Sequence, residues 1–221
     1  GNNINPRNSY VYLHEAPPVV STSLRSLYTQ NFCFKNFFNE STVGRFHLLR
    51  TLSFDQLRQF REYKPPGLQE VRRTDWNNID CSGPLPVSMH KLESIEKLYM
   101  KSLYFTGEIP QSLFQIPTLK RLEIYSLNRR ISTNVNFLNT RTKVSGELNF
   151  INVTAINLKF LAISRTYITG NIPIEIGDMK NLIKLDLSRN YLFGNITKIA
   201  GGLKQLKNLK ILNLAKNAEL Y

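Results

Sequence analysis

Side chains able to do chemistry are few and scattered in this 221-residue chain. Catalysis needs a nucleophile, a base and an orienting group that converge, or a metal site. The histidines, His14, His47 and His90, stand alone, and together with Cys33 and Cys81 they show no zinc-ligand spacing. Neither G-x-S-x-G nor H-E-x-x-H occurs, and Gly201-Gly202-Leu203-Lys204 lacks the first glycine and the hydroxyl residue of a phosphate-binding loop. Asp75 and Asp80 are a carboxylate pair with nothing around them to suggest a cleft. The sequence therefore predicts no catalytic residues, no metal site and no cofactor.

Binding is better supported than catalysis. Lys and Arg number 29 against 16 Asp and Glu, a formal +13. Such an excess favours anionic partners: acidic polysaccharide, phosphate-bearing surfaces, nucleic acid or an acidic protein face. Nucleic acid is disfavoured among these, because no recognition motif accompanies the charge. Which basic residues act together depends on the elements that carry them.

Those elements are repeats. Gly83-Pro-Leu-Pro86, Gly107-Glu-Ile-Pro110, Gly146-Glu-Leu148, Gly170-Asn-Ile-Pro173 and Gly194-Asn-Ile-Thr197 are spaced by 24, 39, 24 and 24 residues. A fixed period with one insertion marks stacked copies of a supersecondary unit. Aligned on the glycines, Ile95-x-x-Leu98-x-Met100, Leu119-x-x-Leu122-x-Ile124, Leu158-x-x-Leu161-x-Ile163, Leu182-x-x-Leu185-x-Leu187 and Leu209-x-x-Leu212-x-Leu214 share one frame. Val71-x-x-Thr74-x-Trp76 fits it less well, and a degenerate repeat begins at Leu49-x-x-Leu52-x-Phe54. The alternation in L-x-L predicts a short strand with one buried face, which must stack on its neighbours to form a core. Glycine permits the tight turn that follows, and proline fixes φ at the start of the return segment.

This L-x-x-L-x-L, turn, G-x-I-P-x-x-L pattern resembles the plant-type leucine-rich repeat over about two thirds of the chain. The resemblance implies an α/β solenoid: a right-handed superhelix with a concave parallel β-sheet and short helical or irregular convex segments. Residues 49–221 form the repeats, one degenerate at 49–70 and then units starting near 71, 95, 119, 158, 182 and 209. A polar insertion near 128–142 is either a loop beside the binding surface or an ordinary surface loop. The asparagine that the family places after the strand is present at Asn190 and Asn217, with Thr166 a weaker substitute. Three additional residues around Ala200-Gly201-Gly202 lengthen one return segment, with no other role expected. The family is used in receptor-like kinase and receptor-like protein ectodomains and in polygalacturonase-inhibitor-like proteins. The resemblance thus implies a non-enzymatic module that binds a protein or peptide on its concave face, outside the cell or at its surface.

The repeat frame sorts the outward side chains into columns. Just before the central leucine stand Arg73, Lys97, Arg121, Phe160, Lys184 and Ile211; one position earlier stand Arg72, Glu96, Lys120, Lys159, Ile183 and Lys210. This basic stripe suits an acidic polysaccharide, and equally suits lysine stems that cover the core edge while their ammonium groups stay wet. Further along the strand, Tyr99, Lys101 and Tyr125 fall together, flanked by Lys97, Arg121 and Phe160. Aromatics with basic neighbours make a recognition patch. With Arg165 and Arg189, these six residues are the candidate ligand-binding set.

Residues 1–48 lack the period and read as a polar arm followed by an aromatic-rich cap, with Tyr10, Tyr12, Tyr28, Phe32, Phe34, Phe37 and Phe38. The family's paired N-terminal cysteines have only Cys33 and Cys81 as counterparts here. These either bridge the cap to the first repeat or, for Cys81, fill a buried apolar column. Asn39, Asn152 and Asn195 begin N-x-S/T triplets and are glycosylation candidates in a secreted chain. The chain has no secretory leader, contains no apolar run long enough to span a membrane, and stops inside a repeat, so it reads as a segment of a longer protein. An intracellular scaffold is the alternative reading.

Overall fold

The computed structural model of the protein describes residues 10–13, 25–29, 46, 48–55, 83–85, 87–101, 105–125, 144–148 and 157–221. Its strands are β1 (Tyr10–Leu13), β2 (Ser26–Thr29), β3 (Thr51–Asp55), β4 (Gly83–Pro84), β5 (Lys97–Lys101), β6 (Phe105–Glu108), β7 (Arg121–Tyr125), β8 (Val144–Glu147), β9 (Phe160–Ser164), β10 (Tyr167–Gly170), β11 (Lys184–Asp186), β12 (Tyr191–Gly194), β13 (Ile211–Asn213) and β14 (Glu219–Leu220). Eight of them form a parallel sheet in the order β1-β2-β3-β5-β7-β9-β11-β13. The other six form a lateral sheet, β14-β12-β10-β8-β6-β4, at the turns that follow.

The alternation in L-x-L explains the main sheet. In β7, Leu122 and Ile124 are fully buried while Arg121, Glu123 and Tyr125 are half-buried on the opposite face. The ladder sets Leu98 beside Leu122, Leu122 beside Leu161 and Leu161 beside Leu185, four leucines with no exposed surface. Each such burial contributes roughly 1.5–3 kcal/mol. Convex segments close the core from the other side: 3-10 turns at Val87–Lys91, Gln111–Gln115 and Ile174–Asp178, and helix α1 (Ile196–Gln205), which contribute buried Met89, Leu113, Ile176 and Ile199. The fold is a leucine-rich-repeat solenoid with a concave parallel sheet.

The N-terminal region departs from the sequence reading. Within residues 1–48, read as arm and cap, β1 and β2 are two additional strands of the concave sheet, with Val11 opposite Leu27 and Leu27 opposite Leu52. Leu27 is fully buried there, so the edge of β3 is covered by backbone pairing and by a core leucine together. The sheet also passes directly from β3 to β5, with Leu52 opposite Leu98. Residues 71–76 and the insertion near 128–142 lie outside the described residues.

Asparagines stitch the turns. Asn190 donates to the carbonyls of Ile163 (2.8 Å) and Leu187 (2.9 Å), and its Oδ1 accepts from the Thr166 backbone N–H (3.0 Å) and hydroxyl (2.5 Å). Asn217 repeats the motif one unit on, donating to Leu187 (3.0 Å) and Leu214 (2.7 Å) and accepting from the Leu192 N–H (3.1 Å). Thr166 occupies the same column and is bonded to the next asparagine rather than acting as one.

Glycines at two kinds of position are required by space. Gly146 has φ 96°, and a Cβ there would lie 2.8 Å from Glu108 Cγ. Gly177 and Gly202 have no such φ but meet backbone to backbone: a Cβ on Gly177 would lie 2.7 Å from the Gly202 carbonyl oxygen. The additional residues around 200–202, for which the sequence suggests no role, thus let α1 lie directly on the Ile174–Asp178 turn.

Candidate functional site

Strands β5, β7 and β9 carry the candidate patch in register. Lys97 lies opposite Arg121 and Arg121 opposite Phe160; Tyr99 lies opposite Glu123; Lys101 lies opposite Tyr125 and Tyr125 opposite Ser164. The buried residues alternate in β5 and β7, and Phe160 of β9 lies in register with Arg121, so all six candidate side chains project on the concave face. Their spacing is a consequence of the sheet, not of any loop.

Specific contacts tie the patch together. The Lys101 ammonium lies over two tyrosine rings, 5.8 Å from the centroid of Tyr99 and 5.5 Å from that of Tyr125. The Arg121 guanidinium lies 3.9 Å from the Phe160 ring while its Nη1 is 3.1 Å from Glu123 Oε1. Cation–ring contacts at such sites contribute about 0.5–1 kcal/mol and hold the long basic side chains in place. The result is an amphipathic surface of ring faces with cations fixed between them.

Electrostatics refine the basic stripe. Lys120 Nζ lies 2.9 Å and Arg50 Nη1 3.8 Å from the Glu96 carboxylate, Arg121 pairs with Glu123, and Lys184 Nζ is 3.9 Å from Asp186 Oδ2. The hydrogen bond from Lys120 holds the Glu96 carboxyl below its usual range against the opposing effect of burial, with the charges of Lys120, Arg50 and Lys97 acting in the same direction as that bond. Burial pushes the Tyr125 hydroxyl up to about 12, reinforced by the charges of Glu123 and Asp186. The carboxylates were visible in the sequence columns, but their pairing with the stripe was not.

Arg165 and Arg189 occupy a different structural position. Both follow their strands in the left-handed backbone region, with φ 58° and 59°, and Lys216 repeats the conformation at φ 64°. The three exposed basic side chains thus form a column along the end of the strands. Arg165 acts electrostatically on Tyr125 and so borders the patch, whereas Arg189 belongs to the following repeat. Lys216 was missed in the sequence; its position one residue before Asn217, matching Arg189 before Asn190, was the available signal.

Asn195 caps α1, its Oδ1 accepting from the Thr197 backbone N–H (2.8 Å) and hydroxyl (2.6 Å). His90 is exposed, its Nδ1 2.6 Å from the Val87 carbonyl oxygen within the same turn. Asn39, Asn152, Cys33 and Cys81 lie outside the described residues. Among the described residues, no group of His, Cys, Asp and Glu could hold a metal ion and no helix is long and apolar enough to cross a membrane.

No protein-family model matches the sequence, and no curated protein matches it. Solved structures do. The plant peptide hormone receptor RGFR1 in complex with RGF2 superposes with TM-score 0.52 at 18% identity, over 98% of this chain and 36% of that one. The leucine-rich-repeat ectodomain of the Arabidopsis receptor kinase HAESA, in complex with an IDA peptide hormone ligand, gives TM-score 0.50 at 26% identity, over 61% of this chain and 20% of that one. A leucine-rich-repeat protein of Leptospira interrogans gives TM-score 0.51 at 21% identity, over 87% of this chain and 36% of that one. The chain spans well under two thirds of each of these neighbours.

Proposed function

For a chain that is a leucine-rich-repeat solenoid of the plant type, we propose a non-enzymatic recognition role: it binds a protein or peptide on its concave face, as part of an extracellular, receptor-like ectodomain. The observation that carries this reading is the in-register patch of Tyr99, Lys101, Tyr125, Arg121 and Phe160, a set of ring faces pre-positioned by strands and clamped by fixed cations. Tyrosine, tryptophan and arginine are the side chains that dominate protein recognition, and ordering them before binding lowers the entropic cost of association. Two of the structural neighbours were solved with peptide hormones, which supports the same class of ligand here. Lys97 and Arg165 border the patch, with Arg189 one repeat further on, and would engage acidic or carboxyl groups of the ligand.

A polyanionic polysaccharide is less well served by this surface, because Glu96, Glu123 and Asp186 already pair with three of the stripe's cations, Lys120, Arg121 and Lys184, and with Arg50. The test is binding of secreted peptides and ectodomain partners to the wild-type chain and to Tyr99→Ala and Tyr125→Ala, each at low and high salt. Loss of more than tenfold in affinity in both variants, with modest salt dependence, is expected. Full binding by both variants, or binding that vanishes with salt screening alone, would overturn the proposal.

A further inference from the structure

The lateral sheet carries a second surface, away from the concave patch. In β12, Leu192 is fully buried while Tyr191 and Phe193 on either side of it face outward. Tyr191 is stacked on Tyr167, with ring centroids 5.3 Å apart and planes 17° from parallel. Phe193 is 38% exposed and has no ring partner among the described residues. It forms one wall of a groove of about 410 Å³ lined also by Asn171, Ile174, Asn195, Lys198 and Leu220. The lining combines apolar side chains, among them Phe193, Ile174 and Leu220, with the amides of Asn171 and Asn195 and the Lys198 ammonium.

Asn195 stands at this groove in the triplet Asn195-Ile196-Thr197, two residues after Phe193. Its carboxamide is divided in function. Oδ1 accepts both hydrogen bonds from Thr197 and so caps α1, while Nδ2 makes no hydrogen bond among the described residues. Substitution on Nδ2 leaves Oδ1, and with it the helix cap, intact.

We propose that Asn195 carries an N-linked glycan whose first N-acetylglucosamine lies in this groove against Phe193, fastening the turn between β12 and α1. The proposal rests on the extracellular reading given above. A pyranose has one face of C–H groups and a rim of hydroxyls, which matches a groove whose lining joins aromatic and aliphatic side chains to the polar groups of Asn171 and Lys198. In the transfer, the bond from Nδ2 to the anomeric carbon forms as that carbon's bond to oxygen of a lipid-pyrophosphate-linked oligosaccharide breaks. The amide loses one proton and the lipid pyrophosphate leaves with the electron pair. Nothing in the step touches Oδ1.

The test routes the chain, with Asn39→Gln and Asn152→Gln, through a eukaryotic secretory pathway behind an added leader, and compares it with the same sequence made in bacteria, where Asn195 stays unmodified. Peptide mass spectrometry should find Asn195 glycosylated, and the glycosylated chain should melt about 2–4 °C above the bacterial one. Asn195→Asp, which keeps the capping oxygen and removes the sugar, should melt with the bacterial chain. In a Phe193→Ala background the gap between glycosylated and unmodified chains should close. An unmodified Asn195 in folded, secreted protein would overturn the proposal, and so would a gap that persists without Phe193. Because the leader is supplied, these outcomes report on the groove, while ligand binding by the Tyr99 and Tyr125 variants reports separately on the concave face.

Discussion

Replacing Asn190 with alanine should destabilise the solenoid by about 2–5 kcal/mol, several times the effect of an ordinary surface change. The magnitude follows from the partners left behind. Four hydrogen bonds converge on this buried side chain, and the groups at their far ends are not equally dependent on it. The Leu187 carbonyl keeps a second donor, Asn217 Nδ2 at 3.0 Å. The Thr166 N–H and hydroxyl lose their shared acceptor, and the Ile163 carbonyl loses a donor. Thr166 is 2% exposed, so water reaches these groups only if the turn opens, and each uncompensated group costs about 1–3 kcal/mol. Urea denaturation followed by circular dichroism should show a lower midpoint at unchanged slope, since the surface exposed on unfolding is the same. Thr166→Val should recover part of the loss in the Asn190→Ala background by deleting the stranded hydroxyl. A loss under about 1 kcal/mol for Asn190→Ala, or no coupling between the two positions, would refute this account of the turn.

Three further outcomes are expected. Leu161→Ala and Leu185→Ala, both fully buried, should each cost about 2–5 kcal/mol in chemical denaturation, whereas Lys159→Ala and Lys184→Ala should change stability by less than about 1 kcal/mol; similar losses at both kinds of position would break the column assignment. Gly202→Ala should lower stability by about 1–3 kcal/mol, because the added methyl would meet the Ile174 carbonyl oxygen in the preceding turn, and a thermal melt unchanged from wild type would contradict that packing. The Tyr125 hydroxyl titrates near 12 in the folded chain and near 10 when unfolded, so its contribution to stability is fully present below pH 10 and is lost as pH rises through about 12; Tyr125→Phe should flatten that part of a stability–pH profile by on the order of 1–2 kcal/mol after allowance for its partial exposure.

The repeat frame was legible because glycine and leucine report different constraints at the same period. Gly146 and Gly194 mark turns with positive φ, and Leu122, Leu161 and Leu185 mark one buried column, so each confirms the register of the other. Strand β2 was hidden for lack of the glycine half of that signal, although Leu27 precedes Leu52 by 25 residues, close to the repeat period. Strand β1 carries neither signal, and its pairing with β2 is a matter of backbone bonds that leave no side-chain signature. In the concave patch, period-2 alternation fixed which side chains share a face. It could not fix which cations turn toward carboxylates and which toward rings: Arg121 does both, and that choice depends on rotamers across neighbouring strands. The close approach of Gly177 and Gly202 was likewise invisible, since two glycines 25 residues apart announce contact only once the convex segments are stacked.

Contacts at the turn glycines have a direction. The space above Gly146 is taken by Glu108, that above Gly170 by Glu147 and that above Gly194 by Asn171, each side chain coming from the unit on the N-terminal side. The units of Gly146 and Gly170 therefore each carry half of two joints, a socket for the unit before and a filler for the unit after. Duplicating or excising one whole unit remakes a filler and socket at the new seam, whereas a cut within a unit leaves one without the other. The width of the concave surface can thus change in whole-unit steps while the chemistry of the joints stays the same.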